Sequence, residues 1–379
     1  MTLAYTDRES RDADIRRAIE SQIKQLCVRG GNGSIFPVPD PYLLSPEDQE
    51  AADEIFDAAL RETMDFIAAG KPNPSVFLDE ARYPALPAWM NVRKLAIALL
   101  PVYRPDRTEF LGSGLTIDDL LAPFPWGRTP QEELAAAVGA ERAARLTDRY
   151  RVFLTTRRSR VIQMCLRGHR DARAIRTRAI AATELVLERS SRWQQAVRIA
   201  SLACGAAHPV ARLSEQLKDR GIPVASVSLL DHDPLALAAG RSVVAQEAPG
   251  LHLNIFLTGL LDRRRLRAAD LRPHLGAASQ HVVEMIGLFE YLPDMMAVDL
   301  LRRIREVLAP GALVLFGNML RPRPGQESFE HVIRWPALFQ RSIFELADLV
   351  QSAGYPMEQL TVAVPDDCVY QVALIDTAL

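Results

Sequence analysis

Two short stretches of the sequence have the residue types of a nucleoside-binding site. The first is a turn of small residues at 203–207, which follows an apolar run at 197–203. The second is Asp231, which ends the next apolar run. In an open α/β sheet, ligands bind beyond the carboxyl ends of the strands, where a terminal carboxylate accepts hydrogen bonds from ribose hydroxyls. The spacing predicts a βαβ unit with a ligand site in the second half of the chain.

The turn lacks the glycine pattern that a pyrophosphate requires. Of the alternating positions Ala203, Gly205 and Ala207, one is glycine, whereas a dinucleotide fingerprint needs Gly-x-Gly-x-x-Gly. This argues against NAD and FAD and favours a nucleoside that carries an amino-acid tail. The same residues also suit any tight strand–helix turn. Asp233 precedes Pro234 and is predicted to cap the following helix.

The second half alternates between strand-like and helix-like patterns. Apolar runs predict strands at 197–203, 225–230, 251–257, 281–286, 312–318, 357–364 and 368–375. Amphipathic stretches predict helices at 209–220, 234–247, 262–271, 296–307 and 342–352. This order predicts an α/β fold with a doubly wound, mostly parallel, seven-stranded sheet. The closing pair of strands has no helix between its members, which predicts one antiparallel strand at the edge.

The first half is typical of a mainly α-helical domain. Three- and four-residue apolar spacing predicts helices at 15–26, 46–68, 90–100, 130–144 and 146–167. Residues 30–34 are rich in glycine and prolines follow them, so a loop is predicted there. No strand is predicted before residue 196. We therefore expect a helical lid or substrate domain at 1–190 and a nucleoside-binding domain at 191–379.

Composition limits the class of partner. The chain has 379 residues and a formal net charge of −2, which gives no reason to expect a polyanionic partner for the whole molecule. The Arg-rich stretch at 142–198 could bind RNA, but interspersed acids favour a solvated helix face. The four cysteines have no zinc-ligand spacing, so no metal is expected. Without an apolar signal core or a membrane-length apolar window, we expect a cytoplasmic protein with no membrane partner.

A third motif makes a resemblance specific. Gly-Leu-Phe-Glu-Tyr-Leu at 287–292 follows the fourth predicted strand of the second half, and Leu-Ala-Pro-Gly-Ala-Leu-Val-Leu-Phe-Gly-Asn spans 308–318. With the small-residue turn and Asp231, these motifs resemble the class I (Rossmann-like) S-adenosylmethionine (SAM)-dependent methyltransferases over roughly residues 195–379. Within that superfamily they are most similar to a bacterial branch that forms the methyl ester of 3-hydroxypalmitic acid. Arg334 stands where that branch more often has an acid before its tryptophan.

The resemblance implies that SAM lies across the ends of the first, second and fourth strands. The implied contacts fall into four groups: the turn beside the methionine part, the end of the second strand beside the ribose, a loop beside adenine, and a floor under the sulfonium. In that order, the residues are Ala203, Cys204, Gly205, Ala206 and Ala207; Asp231 and His232; Gly259, Leu260 and Leu261; and Ile286, Gly287, Leu288 and Phe289.

The catalytic residues are less defined than the cofactor site. Methyl transfer needs an acceptor in line with the S–CH₃ bond and, for a poorly acidic acceptor, a base. Glu290, Tyr291 and His331 are the candidates, with the acid pair at 366–367 as a further one. Each also has a structural interpretation. Glu290 could be a helix-terminus residue or a salt-bridge partner, Tyr291 a core residue, His331 a surface residue and the acid pair a turn. We expect methyl transfer to a small-molecule, fatty-acyl or secondary-metabolite acceptor.

Two other activities remain open. The same fold could use the aminocarboxypropyl tail of SAM, either by cyclisation to azetidine-2-carboxylate with release of methylthioadenosine, as in azetidine-2-carboxylate synthases, or by transfer of the tail. That chemistry needs a closed pocket and no separate acceptor, so SAM alone would be the substrate. An RNA-directed methyltransferase or binding module is the third alternative. The oligomeric state is left open by the sequence.

Overall fold

A mixed sheet forms the centre of the protein in a computed structural model that describes residues 8–70, 99–106, 116–155, 159–262, 267–333 and 338–379. Within these residues the sheet has eight strands in the order β1-β9-β10-β8-β7-β2-β3-β4. A separate two-stranded ribbon joins β5 to β6. The strands are β1 (Asn32–Phe36), β2 (Val197–Leu202), β3 (Val224–Asp231), β4 (Leu253–Leu257), β5 (Leu261–Asp262), β6 (Arg267–Ala268), β7 (Gln280–Met285), β8 (Leu308–Met319), β9 (Leu360–Pro365) and β10 (Tyr370–Asp376).

Helices cover both faces of the sheet, and two large clusters of buried apolar side chains fill the space between sheet and helices. Of the described residues, no helix combines the length and apolarity that a membrane span needs. The α-helices are α1 (Arg8–Val28), α2 (Pro46–Ala68), α3 (Leu100–Tyr103), α4 (Ile117–Leu121), α5 (Pro130–Val138), α6 (Ala140–Thr155), α7 (Arg160–Gly168), α8 (Arg170–Arg189), α9 (His208–Asp219), α10 (Pro234–Glu247), α11 (Arg272–Leu275), α12 (Asp294–Arg305) and α13 (Ile343–Ser352).

The centre of the sheet has the predicted doubly wound order. β2 pairs in parallel with β3 on one side and with β7 on the other, so the strand order reverses at β2. A crevice opens at such a switch point, beyond the carboxyl ends of the strands. The turn after β2, the end of β3 and the loop after β7 therefore meet at one edge of the sheet.

The prediction of seven strands is wrong, because the first half contributes a strand. β1 pairs in parallel with β9, where the glycines at 30–34 had predicted a loop. A Cβ on Gly31 would lie 2.9 Å from Leu26 Cδ1, and one on Gly33 would lie 3.2 Å from Ile23 Cγ2. The glycines thus let α1 pack directly on the backbone of β1. Because glycine weakens the strand pattern, the sequence did not reveal this strand.

The antiparallel strand is also not at the edge. β10 pairs antiparallel with both β8 and β9, and β1 and β4 form the two edges. All seven residues of β10 are buried, as expected for a strand covered on both faces. The hairpin between β9 and β10 inserts the last strand next to β8, a placement that the closing strand pair alone did not specify.

Several predicted helices differ from those observed. The helix predicted at 262–271 is instead the ribbon of β5 and β6, followed by the single turn of α11. A proline at position 273 allows that turn to start but not to extend towards the N-terminus. The patterns at 130–144 and 146–167 divide into α5, α6 and α7, with Gly139 at φ +87° between the first two. Most of the helix predicted at 90–100 lies outside the described residues.

One helix of the Arg-rich stretch, α8, belongs to the protein interior. α8 packs against β8, β9 and β10, and 15 of its residues are buried. Arg176 donates to both Asp40 carboxylate oxygens at 3.0 and 2.6 Å, and Arg178 donates to Glu290. These two arginines are therefore bonded inside the protein rather than presented to solvent. The division of the chain at residue 190 stays a prediction.

Candidate cofactor site and active site

The turn after β2 has an unusual backbone conformation. Ala203, Gly205 and Ala207 have φ angles of +51°, +52° and +55°, the left-handed region that glycine adopts most easily. Left-handed backbone costs an alanine about 1–2 kcal/mol. The chain therefore keeps the alternating shape of a glycine-rich turn although two of the three positions are alanine. Side chains no larger than a methyl group at these three positions keep the turn open to a ligand.

A glycine in the helix opposite gives Ala207 its space. A Cβ on Gly240 of α10 would lie 3.1 Å from the Ala207 Cβ and 3.2 Å from the Gly205 carbonyl oxygen. Real Cβ atoms rarely pack so closely, because interiors are already dense. Gly240 and Ala207 thus form a small-residue pair, with the methyl group on the turn and the hydrogen on the helix.

Asp231 binds the turn to the end of β3. Its Oδ2 accepts a hydrogen bond from the Gly205 N–H at 3.0 Å, and its Oδ1 accepts one from the Asp233 N–H at 3.0 Å. The side chain is buried. Each carboxylate oxygen has two lone pairs, so capacity remains for ribose hydroxyls. The exposed His232 ring places Nδ1 3.3 Å from Asp231 Oδ1.

Asp233 caps α10, as predicted, and also contacts the first half of the chain. Its Oδ1 accepts from the Leu235 N–H at 2.9 Å, and its Oδ2 accepts from the Tyr150 hydroxyl at 2.8 Å. Burial raises the pKa of Asp233 and raises that of Tyr150 well above its ordinary value. Tyr150 of α6 therefore contacts the chain two residues after Asp231.

The loop predicted to border adenine starts next to Asp231. The Thr258 N–H donates to the Asp231 backbone carbonyl oxygen at 2.9 Å. Gly259 is exposed, Leu260 is buried and Leu261 begins β5. The structure thus places this loop at the same edge of the sheet as the small-residue turn.

The exit of β7 brings the predicted floor residues to the same edge. Ile286 and Phe289 are buried, Leu288 is half-buried and Gly287 is exposed. Glu284, two residues before Ile286, was not predicted as a site residue. This buried carboxylate accepts hydrogen bonds from the Ser201 hydroxyl on β2 and, at 3.3 Å, from the Ile286 N–H. Burial raises the pKa of Glu284. A carboxylate within an apolar strand was the signal that could have identified it.

Glu290 is the salt-bridge partner of a buried arginine. The Arg178 Nη1 donates to Glu290 Oε1 at 3.0 Å, and both side chains are almost fully buried. The guanidinium carbon of Arg178 lies 4.2 Å from the centre of the Tyr370 ring, within cation–π distance. Burial raises the pKa of Glu290, although the neighbouring arginine opposes this shift. The structural interpretation of Glu290 is confirmed, and its chemical role stays a prediction.

A glycine admits Arg178 to this position. A Cβ on Gly317 of β8 would lie 3.0 Å from Arg178 Cδ and 2.7 Å from the Ile286 carbonyl oxygen. The arginine therefore reaches the exit of β7 through a gap in the sheet surface. This contact could not be predicted from local pattern, since Arg178 and Gly317 come from separate elements.

The other two catalytic candidates differ in position. Tyr291 is 43% exposed, so the expectation of a core tyrosine is wrong. With Arg178, Glu290 and Tyr370, it lines a cavity of about 30 Å³. His331 lies on a π-helical segment, Ser328–Ile333, and does not line this cavity. The structure therefore brings Glu290 and Tyr291 together, without His331.

These features define an α/β protein with a doubly wound sheet, in which the turn at 203–207 and Asp231 lie at the switch point. Residues 160–375 match the model of a protein family described as "Putative methyltransferase". The match covers more than half of the chain, which belongs to this family. It is an enzyme of the SAM-dependent methyltransferase type, and SAM is its cofactor.

Solved structures of other proteins are similar to this chain at low sequence identity. A possible exported protein from Bordetella parapertussis is 15% identical, covers 89% of this chain and 100% of its own, and has a TM-score of 0.50. An O-methyltransferase family protein from Burkholderia thailandensis is 18% identical, covers 55% of this chain and 59% of its own, and has a TM-score of 0.37. No curated protein matches the sequence.

The residues at the crevice fit this cofactor. The turn at 203–207 carries no side chain larger than that of Cys204, as close approach of a ligand requires. Asp231 keeps lone pairs beyond the two that its backbone donors occupy. The turn has no Gly-x-Gly-x-x-Gly pattern, and SAM has no pyrophosphate that would require one.

Proposed function

We propose that the chain transfers the methyl group of SAM to a small-molecule acceptor that binds between the exit of β7 and α8. The observation that carries this proposal is the convergence of two sites at one sheet edge. The turn at 203–207 and Asp231 suit the cofactor, and Glu290 lies beyond the loop that would floor the sulfonium. An acceptor beside Glu290 would face the reactive methyl group.

In this proposal, Asp231 holds the ribose and the turn at 203–207 holds the methionine part. When bound, SAM supplies an electrophilic methyl group. The chain's residues orient the acceptor and exclude water, because the walls of α8 and β7 are buried. Glu290 receives the acceptor's proton if the acceptor is a hydroxyl. Its Oε2 is buried, without a hydrogen-bond partner among the residues that the structure describes.

Titration calorimetry with S-adenosylhomocysteine tests the cofactor site. We expect Asp231→Ala to weaken binding at least tenfold, since hydrogen bonds to a charged group contribute about 1.5–3 kcal/mol. Asp219→Ala is the matched control, because Asp219 is exposed at the end of α9. Equal affinities of the two variants would contradict the assignment of Asp231. Circular dichroism of both variants checks that the fold is intact.

The use of the aminocarboxypropyl tail remains a second candidate, which the small cavity favours. The cavity beside Glu290, about 30 Å³, is far smaller than the roughly 300–1,000 Å³ that is common for small-molecule sites. A reaction within SAM needs no room for a second substrate. Closure of the α-amine on the γ-carbon forms a C–N bond, breaks the C–S bond, releases methylthioadenosine and leaves one proton to be removed.

One incubation separates the two candidates. Purified enzyme is mixed with SAM alone, and the products are analysed by mass spectrometry. Formation of methylthioadenosine together with a cyclic C₄ imino acid would show that the enzyme cyclises SAM and would refute the proposal of methyl transfer. S-adenosylhomocysteine that appears only after an acceptor is added would exclude cyclisation. A heat-inactivated sample corrects for the spontaneous breakdown of SAM.

A further inference from the structure

A larger cavity, of about 340 Å³, lies beside the turn between β9 and β10. These strands are separated from β3 and β4 by the centre of the sheet. The cavity volume is within the range of about 300–1,000 Å³ that is common for small-molecule sites. Its walls come from α1, from α8 and from the turn between β9 and β10. None of the residues predicted to bind the cofactor lines it. Its charged lining residues are Asp12, Arg16, Arg170, Arg173, Asp366 and Asp367.

The α8 wall of this cavity is basic and has unused hydrogen-bond donors. Arg170 Nη2 donates to Asp12 at 2.7 Å, but its Nη1 has no hydrogen-bond partner among the described residues. Arg173 Nε lies 3.9 Å from an Asp40 carboxylate oxygen and likewise has no hydrogen-bond partner there. The Arg173 side chain is 39% exposed. The two arginines can therefore turn towards a bound carboxylate.

The turn between β9 and β10 forms an acidic wall that contacts α8. Asp367 accepts hydrogen bonds from the Thr177 hydroxyl and, at 3.0 Å, from the Val369 N–H. Burial raises the pKa of Asp367. Asp366 is exposed, and its Oδ1 accepts a long hydrogen bond of 3.4 Å from the Val38 N–H. Asp366 is therefore the carboxylate that a ligand can reach.

We propose that this cavity binds a small molecule that carries both a carboxylate and an ammonium group, in the manner of a free amino acid. Arg170 and Arg173 would bind the carboxylate, and Asp366 would bind the ammonium. A simple anion would face the acidic wall, and a simple cation would face the two arginines. A neutral ligand would desolvate the charges of both walls without replacing their contacts with water. A ligand with separated charges of both signs matches both walls.

Binding is tested with the full chain and each of the twenty common amino acids, in the presence of saturating S-adenosylhomocysteine. The nucleoside keeps the methionine subsite of the cofactor filled, so amino-acid binding reports on the second cavity. Saturation-transfer NMR identifies binders, and calorimetry measures their affinity. We expect at least one amino acid to bind, and its N-acetyl derivative and its decarboxylated amine to bind at least tenfold more weakly.

Two variants locate the site. Arg173→Gln and Asp366→Asn should each weaken the amino acid about tenfold to one hundredfold, as expected for loss of a charged hydrogen bond. Both should leave the affinity for S-adenosylhomocysteine unchanged. Arg151→Gln, an exposed change on α6, is the control and should alter neither affinity. Absence of binding by all twenty amino acids, equal binding of the N-acetyl derivative, or insensitivity to both variants would overturn the proposal.

Discussion

Exchanging alanine and glycine between positions 207 and 240 should reveal how the turn at 203–207 tolerates alanine. Gly240→Ala alone places its Cβ 3.1 Å from Ala207 Cβ and 3.4 Å from Leu229 Cδ1. Overpacking of this kind costs about 1–3 kcal/mol, and the helix propensity of alanine offsets about 1 kcal/mol. We therefore expect Gly240→Ala to lower the free energy of unfolding by up to about 2 kcal/mol.

Ala207→Gly has opposing effects of similar size. It removes a left-handed alanine, worth about 1–2 kcal/mol. It also loses a buried methyl group, about 0.8 kcal/mol, and adds glycine entropy to the unfolded chain, about 0.5–1 kcal/mol. The net change in stability should lie within about 1 kcal/mol of zero.

The double variant should be more stable than the sum of the single changes predicts. With glycine at position 207, the new methyl group on residue 240 no longer meets the Ala207 Cβ, while its 3.2 Å approach to the Gly205 carbonyl oxygen and the gain in helix propensity remain. We expect a coupling energy of about 1–2 kcal/mol, measured by urea unfolding of the four proteins. Gln131→Ala, exposed on α5, should be additive with Ala207→Gly. If the effects of Ala207→Gly and Gly240→Ala on the free energy of unfolding add within about 0.5 kcal/mol, the argument from close contact is refuted.

The remaining predictions concern the buried polar contacts and the thiols. Tyr150→Phe removes a hydrogen bond to a buried carboxylate and should lower the free energy of unfolding by about 1.5–3 kcal/mol in urea. Arg178→Met leaves Glu290 buried without its ion-pair partner and should cost about 3–5 kcal/mol, most of which Glu290→Leu in the same chain should restore; no recovery would contradict the pairing. With a hydroxyl acceptor, the rate of methyl transfer should rise with pH through a pKa above the usual range of glutamate, because burial raises the pKa of Glu290 and the base acts when ionised; a pH-independent rate would remove the base. Burial raises the pKa of Cys165 to about 12, so iodoacetamide at pH 8 should label exposed Cys27 first in peptide mapping; faster labelling of Cys165 would show that its helix opens.

The part of the fold that could be predicted depends on local pattern. Apolar runs between helices identified β2, β3 and β7, and small residues before a helix located the turn at 203–207. Residues close together in the sequence determine these features, because the burial pattern of a strand and the geometry of a turn each restrict which residues a short segment can contain. The start of α10 also follows from the sequence, because Asp233 caps the helix and Pro234 occupies its first position.

The features that could not be predicted depend on contacts between distant segments. β1 has the glycines of a loop and becomes a strand because α1 and β9 pack against it. Arg178 reads as one member of a basic helix, yet Gly317 and Glu290 draw it into the interior. Tyr150 gives no sequence sign of its contact with Asp233. In each case tertiary packing overrides the local preference.

The pairing of β1 with β9 sets an order for folding during synthesis. Asn32 lies opposite Thr361 in the sheet, so a strand made near the start of the chain must wait for one made near its end. Contacts between such distant residues form slowly, because the intervening loop must close first. Until β9 leaves the ribosome, the backbone groups of β1 have no partner strand and are open to pairing with another chain. Nascent chains of this protein should therefore be most prone to association before the final hairpin is complete.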